Sequence, residues 1–394
     1  MNNKSNGKSR LNTNLLRFWL AISSLFLLSQ ESFAQYTLEY STNGNVITLT
    51  NYTGTPVLVT IPSFVTAIGE NAFYGCQSLT NVTMGGSVTS IGPVSFYYCT
   101  NLASVTIGNG VTNIGGSAFS MCYSLNSVTL GGNVSNIGVQ AFGICASLAA
   151  VTLPDCVTNL GDYAFAECYG LTNIIIDNNI TSIGEGTFQF CTHLPSVTIP
   201  NRVASIGEGA FDNCALTNVT LPNSVTNIGA EAFQDCFSLK SVTIGNSVSS
   251  IGEQAFGWCL SLTSVYFEGN APGADSTVFV FTNSPTGLDP ATAYYLYGTK
   301  DWVVFSANTG IPAVLLNPPI ATSTGGFGIQ NNQFGFTITG PTNMTIVVQA
   351  CANLANPVWL PLQTNSLANG SVYFSDAAWT NYSGRFYRVL YPLP

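Results

Sequence analysis

Val203-Ala204-Ser205-Ile206-Gly207-Glu208-Gly209-Ala210-Phe211-Asp212-Asn213-Cys214 is one copy of a pattern that recurs along the chain. The cysteine of its last column falls at 76, 99, 122, 145, 168, 191, 214, 236 and 259, a step of 23 residues with a single 22. Phenylalanine keeps the same phase at 73, 96, 119, 142, 165, 188, 211, 233 and 256. An Ile-Gly pair also keeps it, from Ile68-Gly69 to Ile251-Gly252, with Leu160-Gly161 as the one variant. The short step is visible in Cys214-Ala215-Leu216, which has lost one residue from the usual Cys-x-Ser-Leu spacing. Apolar residues held at fixed phase over such a period mark a stacked array of coils. No coil can bury its own apolar face, so stability is a sum of coil and nearest-neighbour terms.

One coil can be read physically. In Leu79-x-x-Val82-Thr83-Met84, alternation puts Val82 and Met84 on one face of a short parallel strand and Thr83 on the other. Val88 and Ile91 continue the inward set. Gly92 stands where backbone approaches closely or adopts positive φ. A short helical segment ending in Phe96 and Cys99 is expected next, with alanine before most of the phenylalanines. These columns resemble the BspA-type leucine-rich repeat family. The resemblance covers about residues 57–267 and implies an α/β leucine-rich repeat solenoid of about nine 23-residue rungs, parallel strands alternating with short helical turns. Known members are cell-surface or secreted proteins, mostly bacterial, some linked to adhesion, which implies a binding role here.

The flanks divide the chain further. Residues 1–34 read as a cleavable signal peptide: Lys4, Lys8, Arg10 and Arg17 precede an apolar run from Phe18 to Leu28, and Ser32-Phe33-Ala34 supplies the small residues of a cleavage site. The run is too short to span a bilayer. Residues 35–62 read as a hairpin cap, Tyr36–Tyr40 and Val46–Leu49 around a type I′ turn at Asn43-Gly44, hiding the apolar end and strand edge of the first coil. The solenoid is placed at 63–267 and a C-terminal cap and linker at 268–318. Alternating segments Phe334–Thr339, Thr345–Ala350, Val358–Leu362, Ser371–Ser375 and Arg385–Leu390 give a small all-β sandwich at 319–394.

Charge narrows the function classes. Charged residues are 7% of the chain, and without residues 1–34 there are 5 basic against 17 acidic groups, a net of −12. That opposes nucleic-acid binding, which needs clustered lysine and arginine. One histidine, His193, leaves little room for histidine-based catalysis or metal sites. No nucleophile–base set, phosphate loop or metal spacing is readable, so no enzyme, cofactor or metal is expected. The nine-cysteine column reads as free buried thiols with no disulfides, Cys156 as a solvent-facing turn residue and Cys351 as a lone thiol.

Two surfaces are candidates for a ligand. Thr83, Thr106, Thr129, Thr152, Thr198, Thr220 and Thr243 share one outward strand column, interrupted by Ile175 and Tyr266. Beside them run Asn81, Ser104, Ser127, Ala150, Asn173, Ser196, Asn218, Ser241 and Ser264, making a nearly uncharged hydroxyl lattice. Thr also favours strands and pairs across them, which explains the column without a ligand. Tyr97, Tyr98 and Tyr123, with Tyr74, gather at the helical edge, where their apolar bodies and polar tips suit sugar or protein contacts, or core-rim packing. Glu70, Asp162, Glu185, Glu208 and Glu253 open the expected helical turns and would complement their dipoles. The leading expectation is an exported binding or adhesion protein with a protein or glycan ligand; the alternative is an envelope or matrix scaffold without a discrete ligand, with ice or crystalline-surface binding further behind.

Overall fold

The computed structural model describes residues 36–280, 291–296, 299–316, 327–330, 332–339, 345–354, 357–382 and 384–390. The expected signal segment 1–34 lies outside them. The repeat region is a stack of coils with three sides, each side carrying hydrogen bonds between neighbouring coils.

The first side is the expected strand. Leu58–Thr60, Asn81–Thr83, Ser104–Thr106 and Ser127–Thr129 form a parallel sheet in register, with Val59, Val82 and Val105 aligned. Ala150–Thr152 pairs with Asn173–Ile175, and a five-stranded sheet runs Asn218–Leu221, Ser241–Ile244, Ser264–Phe267, Thr292–Tyr295 and Ala313–Leu315. The ladder thus holds 11 strands rather than nine, because Thr292–Tyr295 and Ala313–Leu315 extend it into the expected cap. The coil carrying Thr198 contributes no strand. Pro195 explains this. At the same column, the N–H groups of Ala103, Thr172 and Thr217 donate to carbonyls one coil back, and proline has none to give.

The second side was read only as an inward turn. It is a second parallel ladder of two-residue strands, Ala67–Ile68, Ser90–Ile91, Asn113–Ile114, Asn136–Ile137 and Asn159–Leu160, resumed from Ser182–Ile183 to Ser250–Ile251. Just after each strand but one the Ile-Gly glycine passes the preceding coil's backbone, Gly184 meeting the Asp162 side chain instead: a Cβ on Gly138 would stand 2.7 Å from Gly116 N and 2.8 Å from Gly115 C. Close approach, not positive φ, is what requires glycine there.

The third side replaces the expected helical turn. Alternate N–H groups leave the coil, as Phe73 N donates to Ser95 O at 2.7 Å and Gly75 N to Tyr97 O at 2.8 Å. The intervening ones close local turns, Tyr74 N to Asn71 O at 3.1 Å and Cys76 N to Phe73 O at 3.0 Å. Positive φ recurs at the two ends of each corner, at Asn71 and Gly75, Val94 and Tyr98, Ser117 and Met121. A helix would spend every N–H along its own axis and leave the next coil unbonded. The left-handed residues cost about 1–2 kcal/mol each where they are not glycine, and the inter-coil bonds and phenylalanine burial offset this. With no helix at the corner, the acidic residues that open it complement no dipole. The one α-helix among the described residues is Trp302–Thr309, in the segment expected to cap the repeat.

Inside the corner the phenylalanines stack in a single file from Phe73 to Phe279, with centroids 5.0–5.9 Å apart and rings within 17° of parallel. Tyr52 of the N-terminal hairpin closes the file at one end, 5.5 Å from Phe73. That hairpin, Tyr36–Asn43 with Val46–Gly54, pairs onto the second ladder through Thr48↔Ala67 and Leu49↔Ile68. It leaves Leu58–Thr60 as the edge of the first ladder, so it covers one strand edge and not both. Its turn is Gly44-Asn45 with positive φ at Gly44 alone, the type II′ pattern rather than I′.

The carboxy-terminal module has two three-stranded antiparallel sheets: Gly328–Gln330, Gln333–Thr339 and Ser371–Asp376; and Leu360–Ser366, Thr345–Cys351 and Phe386–Leu390. Gly328–Gln330 was not foreseen, and the strand expected at Val358–Leu362 begins two residues later.

Candidate hydroxyl face and the corner tyrosines

The threonine column divides into parts. Thr83, Thr106, Thr129, Thr152, Thr198 and Thr220 are exposed. Thr243 is 4% exposed and offers no surface; its neighbours in the ladder change from threonine to Tyr266, which stacks on Tyr294 at 5.2 Å. Thr198 lies off any strand, for the reason Pro195 gives. The coherent patch is the four-stranded sheet, where Thr60, Thr83, Thr106 and Thr129 stand in register.

Hydroxyls elsewhere on the coils have structural duties. Thr89, Thr112, Ser135 and Thr158 each donate to the carbonyl one coil back, at 3.0–3.4 Å. Thr80, Thr172, Thr217 and Thr263 do the same on another column. Sequence reading missed both sets, although the same Ser/Thr periodicity marks them. In contrast, the Thr106, Thr129 and Thr152 hydroxyls engage no described group, and Thr83 Oγ1 meets only Asn81 Oδ1 at 3.5 Å. Beside them, Asn81 donates to Ser104 through its side chain.

Tyr97, Tyr98 and Tyr123 lie on the corner, away from the hydroxyl strand. Tyr97 stacks on Tyr74 at 5.3 Å and donates to Met121 Sδ at 3.1 Å, so one face and its tip are occupied. Tyr98 and Tyr123 meet edge to face at 6.2 Å and stay partly exposed. The structure therefore does not join the threonines and tyrosines into one site.

Chemically the repeat is quiet. The column cysteines are free, and from Cys99 to Cys259 each Sγ donates to the phenylalanine carbonyl of the preceding coil, at 3.1–3.3 Å. Burial pushes the Cys122 and Cys168 thiols up to about 12, which keeps them protonated. Cys156 is exposed and Cys351 buried. His193 is exposed, with Nδ1 2.7 Å from Tyr169 O. Among the described residues no group of three or more His, Cys, Asp or Glu could hold a metal ion. One carboxylate is out of place: Asp212 is 8% exposed, Gln189 Nε2 donates to its Oδ2 at 3.0 Å, and its Oδ1 is buried without a partner. Burial pushes it up to about 6, the Gln189 hydrogen bond opposes, and Asp235 and Glu231 add to the rise.

A parallel solenoid with an in-register asparagine/serine–valine–threonine strand and a phenylalanine file defines a leucine-rich repeat protein with short strands. The BspA type leucine rich repeat region matches residues 50–172 and 158–284 in six copies, more than half of the chain, and the chain belongs to that family. The chain is also similar to solved structures. A leucine-rich repeat protein from Bacteroides ovatus is 26% identical, over 62% of this chain and 71% of that one, with a TM-score of 0.48. A leucine rich cell surface protein from Faecalibacterium prausnitzii is 26% identical over 74% of this chain and 95% of that one, with a TM-score of 0.42. The T. pallidum leucine rich repeat protein is 26% identical over 59% of this chain and 89% of that one, with a TM-score of 0.41. None of the curated proteins matches the chain.

Proposed function

We propose that the chain is an exported, non-catalytic recognition protein that binds a protein or glycan through the hydroxyl face centred on Thr83, Thr106 and Thr129. The observation that carries this reading is the contrast among hydroxyl columns. Those that serve the fold turn back onto carbonyls, whereas Thr106 and Thr129 point away from the coil with their hydrogen-bonding capacity unspent. Spaced about 4.8 Å apart by the ladder, they present a row of donors and acceptors on a rigid, uncharged surface. Such a surface selects by shape and hydrogen bonding rather than by long-range steering. Export is supported by the basic, apolar and small-residue order of residues 1–34. No helix among the described residues is long and apolar enough to cross a membrane.

The test combines glycan arrays with capture of proteins from the surroundings of the intact cells. Thr83→Lys with Thr106→Lys should weaken a captured ligand by about tenfold or more, with an unchanged melting curve. Undiminished binding removes the hydroxyl face from the reading, and no ligand in either assay favours the scaffold alternative. Fractionation with surface proteolysis checks export: full-length protein confined to the cytoplasm would overturn it.

A further inference from the structure

The two sheets of the carboxy-terminal module have unlike outer faces. On the first, Phe336, Ile338 and Phe374 point into the core, which leaves Thr337, Ser371, Tyr373 and Ser375 on the outer side, with Gly335 covered by the Tyr373 ring. On the second, Ile346, Val348 and Ala350 point inward; the outward rows are Thr345 beside Ser366, Val347 between Thr364 and Leu390, and Gln349 beside Arg388, and Phe386 is exposed next to the buried Cys351. Phe386 and Leu390 are 40% and 37% exposed. An antiparallel sheet that faces water usually alternates to polar residues on that side, as Thr345, Gln349, Thr364 and Ser366 do here, so the exposed Phe386 and Leu390 stand out at its edge strand.

At its centre is a positioned cation. Arg388 Nε and Nη2 both donate to Gln349 Oε1, at 2.9 and 2.7 Å, and the guanidinium lies 4.5 Å from the Trp359 ring centroid. Its charge is not neutralised. Asp376 is the one acidic residue in 327–390, and it is taken by Arg385 at 3.0 Å. An immobilised arginine with an aromatic partner, flanked by Phe386 and Leu390, has the composition of an interface anchor.

The complementary surface is on the chain itself. Asp162, Glu185 and Glu208 occupy one exposed column on three successive coils, continuing from Val139, which is 51% exposed. Asp162 Oδ1 accepts from Glu185 N at 3.0 Å, and Tyr163 donates to Glu185. Like charges stacked on successive coils repel, and the one ion pair among the described residues is Arg385–Asp376, so no cation relieves this ridge. We infer that the outer face of the Leu360–Ser366, Thr345–Cys351 and Phe386–Leu390 sheet docks onto the Asp162–Glu185–Glu208 ridge of a second copy of the chain. The apolar pair of Phe386 and Leu390 meets the exposed Val139, and Arg388 sets the register. Exchange of modules between two copies makes the contact twice in a closed pair.

Sedimentation velocity over a concentration series tests this on the full mature chain. A concentration-dependent dimer is expected, weakened by salt because its register is electrostatic. Arg388→Glu, and separately Glu185→Lys with Glu208→Lys, should each raise the dissociation constant about tenfold or more. Combining all three should restore dimerisation, which a merely misfolded variant could not do. Circular dichroism and melting of each variant confirm its fold, and Arg388→Gln repeats the loss without charge reversal. A monomer at every concentration overturns the inference, including one that expands in scattering on Arg388→Glu and so folds back on itself. A dimer indifferent to Arg388→Glu, or charge reversal without rescue, overturns it equally.

Discussion

From Leu38 to Ile311 the buried side chains form one continuous cluster, whereas the module of residues 327–390 closes over Phe336, Ile338, Ile346, Val348, Leu367 and Phe374 alone. In the solenoid the same phenylalanine, cysteine and valine columns repeat, and each contacts its own copy one coil away. In the module no column repeats, and contacts are made between strands distant in sequence, such as Phe336 beside Phe374. The first region gains stability by repetition and can lose it coil by coil. The second stands or falls as a unit.

The largest effect should come from the centre of the phenylalanine file. Phe142→Ala removes a ring stacked on both Phe119 and Phe165 and should cost about 3–5 kcal/mol, read as a lower or split thermal transition of the solenoid. Phe374→Ala, a comparable truncation in the module, should abolish the module's transition and leave the solenoid's in place; a shared shift would erase the distinction between the regions. Next comes Gly138→Ala, whose new Cβ meets backbone rather than a movable side chain, at about 2–3 kcal/mol in denaturant unfolding. Wild-type stability for that variant would show that neighbouring coils can part without penalty.

The smallest expected effect is at Asp212. Its folded value, about 6, stands above the ordinary 3.8 because the group is buried. Between those values the folded chain keeps a proton that the unfolded chain has lost. This contribution is therefore fully present below the unfolded value and is lost as pH rises through about 6. Asp212→Asn should flatten the pH dependence of solenoid stability across that window and raise neutral-pH stability by about 1–2 kcal/mol. An unchanged slope would place the titration elsewhere.

Much of the solenoid was legible because its inward columns are strictly periodic: Phe142, Cys145 and Leu148 are buried where the pattern put them. The corner was not. A helix and a chain of left-handed turns both carry Ala-Phe-x-x-Cys to the inside, and only the destination of alternate N–H groups separates them. Val94 at φ 47° violates its own preference, so residue propensities pointed away from the outcome. The second ladder escaped notice because two-residue strands are too short to show alternation. Of the threonine column, exposure was legible on the first coils, while the covering of Thr243 depends on what the next coil carries. The absence of a strand at Thr198 could have been read from Pro195, since a missing N–H is a property of the sequence.

The one-residue deletion after Cys214 leaves Phe211 and Phe233 stacked at 5.3 Å, and the coils on either side close over it. A fold that absorbs such a change locally has no fixed size. Gene segments encoding whole coils can be duplicated or dropped without re-inventing an interior, so the length of this body is open to gradual adjustment in a way that a closed sandwich never is.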